Sequence, residues 1–189
     1  MNDRRYLGAA GFVACWILLT LSGCSAQELE ARDFVSVLTV PDGDTESLLA
    51  ERQKTSTCTL DYSHTKAVIL DTTLTQNPEQ LDNVLETLLS RPEFAWNLLV
   101  FTGDEETLRR ADEKKEKLGL ELAAYYKNHT AGEESGELVS VTLLDLWNWR
   151  TGSGEELSLP VLSWQKDNLI PEGVLIIKSP CSSPKRDLQ

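Results

Sequence analysis

The chain has 189 residues, 41% of them apolar, and its 30 acidic against 18 basic side chains give a formal net charge of −12. That length and composition fit one domain with a packed core and exclude disorder throughout. The acidic balance excludes a nucleic-acid binder, which needs a basic patch on phosphate, and predicts a body that stands off anionic headgroups. Four Cys and two His leave little material for a metal cluster.

The first 24 residues read as an address. Arg4 and Arg5 precede an apolar run over residues 7–21. A helix of about 15 residues rises only about 22 Å, short of the roughly 30 Å hydrocarbon core, which favours a cleaved signal over a permanent span. The run ends Leu21-Ser22-Gly23-Cys24, similar to a bacterial lipobox. There an aliphatic residue and two small ones precede the Cys that takes the diacylglycerol. Residues 1–23 are therefore expected to be signal peptide and residues 24–33 a lipidated tether. Cleavage leaves 166 residues and removes Asp3, Arg4 and Arg5, which takes the net charge to −13. Stable anchoring takes two or three acyl chains, since one alone is marginal. Of the remaining thiols, Cys58 and Cys181 could pair in an oxidising exterior, but two free thiols is the expectation, because Cys181 lies in a Ser/Pro-rich tail.

Residues 34–40 are β-branched and apolar and predict one buried strand, closed by a turn at Pro41-Asp42-Gly43-Asp44. Residues 45–57 are polar and without a clear period. Residues 66–70 form a second strand. Asn77 caps the clearest helix, with Pro78 at its first position and Gln80 completing a capping-box pattern. Leu81, Val84, Leu85, Leu88 and Leu89 lie on one face of it, and Arg91-Pro92 ends it.

Residues 97–102 form a third strand, followed by a charged helix over residues 105–117. There Glu105 and Arg109, Glu106 and Arg110, and Glu113 and Lys117 are spaced as i, i+4 pairs. Gly119 is expected to break this helix before a short one over residues 120–127. Residues 130–136 are a loop. Val139 and Val141 form a short extended piece, and Thr142 caps a helix carrying Leu143, Leu146, Trp147 and Trp149. Residues 159–164 and 173–178 make two last strands, and a tail occupies residues 179–189. Strands alternating with helices, several apolar along their whole length, predict an α/β (α+β) domain over residues 34–178: a central mixed sheet of about five strands flanked by helices.

Motifs for chemistry are sparse. No phosphate loop, dinucleotide fingerprint or nucleophile elbow is present. His64 precedes a strand and His129 follows a helix, and both are expected to be solvated or hydrogen-bonded at element ends. Asp42, Asp44 and Glu46 lack the Gly and distant Glu of a calcium loop and read as an ordinary turn. No catalytic residue, metal or cofactor is expected beyond the diacylglycerol on Cys24. Trp96, Trp147, Trp149 and Trp164 read mainly as core anchors. Trp147 and Trp149 stand about 200° apart around a helix, so one of them is expected at a contact surface, together with Arg91 and Phe94 of the turn after the Asn77-capped helix.

The order of these pieces resembles the N-terminal domain of the Ger(x)C family, the lipoprotein C subunit of spore germinant receptors. Cys24 leads through Glu28-Leu29-Glu30-Ala31-Arg32 into the first strand. The stretch from Tyr62-Ser63-His64-Thr65 into Leu70 is similar to the family's strand approach. The helix, Arg91-Pro92-Glu93 and the strand Leu98 to Phe101 resemble its helix, Arg-Asp-Pro-Glu turn and strand, with the Asp missing here. Asn128-His129, Thr142-Leu143-Leu144-Asp145-Leu146 and Leu159-Pro160-Val161-Leu162 match an Asn-His end, a Thr-Leu-x-Asp-Phe helix and a Leu-Pro strand.

The resemblance implies a non-catalytic lipoprotein on the extracytoplasmic face of the spore inner membrane. It would dock with two integral-membrane subunits, A- and B-type, in nutrient-triggered germination. Family members usually continue into two further domains, whereas this chain ends in a short tail after Lys178. The alternatives are a small extracellular solute-binding or other cell-envelope lipoprotein and, more remotely, a surface hydrolase using His64 or His129.

Overall fold

In the computed structural model, residues 32–129, 139–152, 156–165 and 168–178 are described. The signal, the lipobox, the loop over residues 130–136 and the tail lie outside them. The described residues from Asp33 onward form one compact unit. Its strands are β1 (Arg32–Phe34), β2 (Val37–Val40), β3 (Thr59–Asp61), β4 (Ala67–Asp71), β5 (Leu99–Gly103), β6 (Glu156–Gln165) and β7 (Asn168–Lys178). Its helices are α1 (Thr45–Thr55), α2 (Pro78–Ser90), α3 (Glu105–Glu113), α4 (Leu118–His129) and α5 (Leu143–Thr151). The main sheet runs β2-β4-β5-β6-β7, and β1 with β3 makes a separate two-stranded sheet. Pairing is parallel from β2 through β6 and antiparallel between β6 and β7, so the sheet is mixed, as the sequence predicts.

Alternation along the strands explains why they are apolar throughout. Leu38, Val40, Val68, Leu70 and Val100 point to one face, where Leu49 of α1, the apolar stripe of α2, and Leu143, Leu146 and Trp149 of α5 cover them. Val37, Ala67, Ile69 and Phe101 point to the other face, under Leu108 and Ala111 of α3 and Leu118, Leu122 and Tyr126 of α4. A strand buried on both faces has no polar positions to alternate. The caps follow the sequence. Asn77 accepts from the Gln80 N–H at 3.3 Å, and Thr142 and Asp145 form a reciprocal capping box. Residues 45–55, which showed no period, are helical because Asp44 caps them through the Ser47 N–H at 3.1 Å.

Two expectations are corrected. The first strand is broken rather than continuous. At Val35 and Ser36 the backbone leaves the ladder, because the Val35 N–H donates to the Asp61 carbonyl at 3.0 Å and the Ser36 N–H to that of Lys115 at 2.8 Å. The charged helix ends at Glu113, not Lys117, and Gly119 sits inside α4 rather than between helices. Its role is close approach: a Cβ there would lie 1.8 Å from the Ser36 carbonyl oxygen. The Gly119 N–H donates to Ser36 Oγ at 3.0 Å, and that hydroxyl in turn donates to the Lys115 carbonyl at 2.8 Å. The α3 ion pairs also differ in detail. Glu106 holds both Arg109 and Arg110, and Arg109 turns to Glu113 rather than Glu105.

The outer edge of β2 has no strand beside it, yet it is closed. Lys115 offers its carbonyl to the N–H groups of Ser36 and Val37. Further along, Arg52 of α1 donates to the Thr39 carbonyl at 3.2 Å and its Oγ1 at 2.5 Å, then pairs with Asp112 of α3 at 3.0 Å. One guanidinium thus satisfies an edge carbonyl and ties together helices on opposite faces.

Gly119→Ala should destabilise the domain by about 1–3 kcal/mol, the usual range for forced overpacking, read as a lower urea midpoint with unchanged slope. Hydrogen bonds from Arg109 and Arg110 hold the Glu106 carboxyl down at about 2 against an ordinary 4.5. A carboxyl depressed in the folded state contributes fully above the ordinary value and loses its contribution as pH falls through the folded one. Its NMR titration should accordingly show a midpoint near 2; a midpoint near 4.5 would mean that these pairs do not persist in solution.

Candidate docking surface

The turn after α2 is built around a buried ring. Phe94 is 2% exposed and packs against Tyr62, the two rings tilted by 53° with centroids 5.6 Å apart. Its N–H donates to the Arg91 carbonyl at 3.2 Å. Arg91 lies over this plug and pairs with Glu46 at 2.7 Å and Glu93 at 3.0 Å. The Glu46 hydrogen bond raises the guanidinium pKa further above its already high ordinary value. Arg91 thus joins the start of α1 to the end of α2, and Phe94 is a core residue.

The tryptophans distribute differently from expectation. Trp149 is 7% exposed and belongs to the core, while Trp147 is half-buried against the same cluster. Trp164 lies beneath two cations, the Arg110 guanidinium 4.4 Å and the Lys114 ammonium 4.9 Å from its ring centroid. Trp96, read as a core anchor, is 53% exposed. Of the Trp147 and Trp149 pair, from which one residue was expected at a contact surface, Trp149 points inward, and so does Phe94. Trp147 is partly available, and Arg91 is engaged in two ion pairs.

Among the described residues, the exposed large apolar side chains are Trp96, Leu120, Leu144, Val174 and Ile176. Trp96 and Leu144 adjoin, since the Leu144 N–H donates to the Trp96 carbonyl at 2.9 Å. Trp147 follows Leu144 by three residues on the same helix face. This pair of surfaces, the turn before β5 and the first turn of α5, is the aromatic patch of the domain.

The acidic turn resolves into local structure. Asp42 accepts from the Asp44 N–H at 3.0 Å, Asp44 caps α1, and Glu46 is paired with Arg91. An open groove of about 580 Å³ is lined by this turn and by Gln80, Asn83, Glu86 and Thr87 of α2. Among the described residues, no group of three His, Cys, Asp or Glu is arranged to hold a metal ion. His64 is exposed, its ring edge-on to Phe34 at 4.9 Å. The His129 side chain, Cys24 and Cys181 lie outside the described residues, and Cys58 is a half-buried free thiol.

These features define an α/β domain whose parallel strands are covered on both faces, with an aromatic surface beside one end of the sheet. Residues 23–163 match the family described as spore germination protein N-terminal domain, and the chain belongs to that family. The match spans the main sheet as far as β6. No curated protein and no solved structure matches the chain.

The two aromatic residues flanking Ala95 should separate cleanly. Phe94→Ala is expected to cost about 3–5 kcal/mol of stability, as a buried ring does, whereas Trp96→Ser should leave the denaturation midpoint within about 0.5 kcal/mol of the parent. Equal losses would mean that Trp96 is packed rather than exposed.

Proposed function

We propose that this protein is a lipid-anchored, non-catalytic docking component of the spore germination machinery, of the germinant-receptor C type. Cys24 carries the diacylglycerol, the domain sits on the extracytoplasmic face of the membrane, and it works by contact with integral-membrane A- and B-type subunits. The observation that carries this reading is the family match over residues 23–163, which begins one residue before the lipobox cysteine. Physically, a tether converts partner search into a local encounter, raising the effective concentration of a weakly binding face. Half-buried Trp147 of α5 supports the reading, since aromatic residues are enriched at protein contacts. The acidic groove gives little support to the solute-binding alternative. It is open, and the carboxylates of Asp42, Asp44 and Glu46 beside it already serve the turn, the α1 cap and Arg91.

Cys24→Ala should move the protein from the membrane to the soluble fraction and slow nutrient-triggered germination of spores carrying it. Unchanged membrane retention together with unchanged germination would defeat this function.

A further inference from the structure

The domain differs at the two ends of its parallel strands. At the carboxyl ends of β2, β4 and β5 stand Asp42 and Asp44, Asp71, and Asp104 with Glu105. At the amino ends a continuous series of hydrogen bonds links the elements side by side. The Leu120 N–H donates to Lys117, the Gly119 N–H to Ser36 Oγ, the Lys66 N–H to the Ser36 carbonyl, the Leu99 N–H to Lys66, and the Leu144 N–H to Trp96, all at 2.8–3.0 Å. That row presents Leu120 (54% exposed), Trp96 (53%) and Leu144 (36%). Beside them are exposed Lys66 and Lys117, whose charge exposed Glu116 and Glu121 cancel. Among the described residues, three of the five exposed large apolar side chains therefore share one end, and the carboxylate row occupies the other.

The chain also enters at this end, through β1. There Asp33 pairs with Lys115 at 3.6 Å, and the next residues bond to Asp61 and Lys115. Between Cys24 and Arg32 lie eight Cα steps, at most about 28 Å when fully extended. A lipid on Cys24 would thus hold the Trp96 end, where the chain enters, nearest the bilayer. The net charge, an average over the surface, places the body away from anionic headgroups. The distribution does not, because the tethered end is close to charge balance and carries a Trp, the residue best suited to a membrane–water interface.

We infer that the amino-terminal end of the sheet, with Trp96, Leu120 and Leu144 as its apolar contacts and Lys66 and Lys117 at its rim, rests on the phospholipid surface, with the acidic end pointing away. This rests on the anchoring reading above. The test uses the mature lipoprotein in vesicles of phosphatidylcholine and phosphatidylglycerol, with and without acyl-chain-brominated phosphatidylcholine, which quenches tryptophan at short range. Flotation of the same samples reports anchoring separately.

Brominated lipid should lower the emission of the parent, and Trp96→Phe should remove most of that drop while the protein still floats. A new reporter at the opposite end, Glu105→Trp in the Trp96→Phe background, should remain unquenched. Floating protein whose quenching is absent, is unchanged by Trp96→Phe, or is equal for the Glu105→Trp reporter would overturn this orientation. The aromatic end would then be left for a protein partner, with anchoring intact. Protein that fails to float would overturn the anchoring reading and this one with it.

Discussion

The fold depends on closing the free edge of β2. A sheet whose strands are apolar on both sides can be stable only if helices cover both faces, and covering both faces leaves the edges as the exposed backbone. Here the edge is sealed at two points by groups from different helices. The Lys115 carbonyl, in the turn between α3 and α4, takes the Ser36 and Val37 N–H groups, and Arg52 of α1 takes the Thr39 carbonyl. Because Arg52 also pairs with Asp112, the seal links the helical layer on one face to that on the other. The break between β1 and β2, the contact of Gly119 with Ser36 and the end of α3 at Glu113 are consequences of the same requirement: the chain must bend at Ser36 to admit that turn.

The same closure disposes of the surface. With both faces of the parallel strands covered, the exposed large apolar side chains among the described residues lie at the amino end of the sheet and on β7. Trp96 and Leu144 stand where β5 begins because the first residues of α5 bond back to the segment before it, through Leu143 to Leu98 and Leu144 to Trp96. The carboxylates collect at the other end because two of them serve as helix caps: Asp44 for α1 and Asp104 for α3, each held below the ordinary carboxylate range by its bond to Ser47 or Thr107. Capping the helices that start at the strand carboxyl ends therefore gives the domain its polarity at the level of local structure.

Much of this was legible in the residues. The class of fold, the caps of α2 and α5, the apolar stripe of α2 and the doubly buried strands follow from period, capping chemistry and turn signals, all of which act within a few residues. The family was legible in the order of its motifs. The contact surface was only partly so. Trp147 and Trp149 were correctly placed on different helix faces, but spacing does not say which residue meets the core, and packing assigned Trp149 to it. Phe94 and Trp96 sit two apart in an irregular turn that has no period to read. Tyr62, distant in sequence, receives Phe94, and no such cavity receives Trp96.

By itself, then, the sequence determined most of the elements, the caps of α2 and α5, the net acidity and the lipobox-like start, since each is written in contiguous residues. Tertiary structure alone decided where the first strand breaks, why residue 119 must be glycine, how the edge of β2 is closed, and which aromatic side chains face outward. Each of those depends on atoms tens of residues apart, Ser36 with Lys115 and Gly119, Arg52 with Asp112, Tyr62 with Phe94, whose proximity exists only once the sheet has assembled.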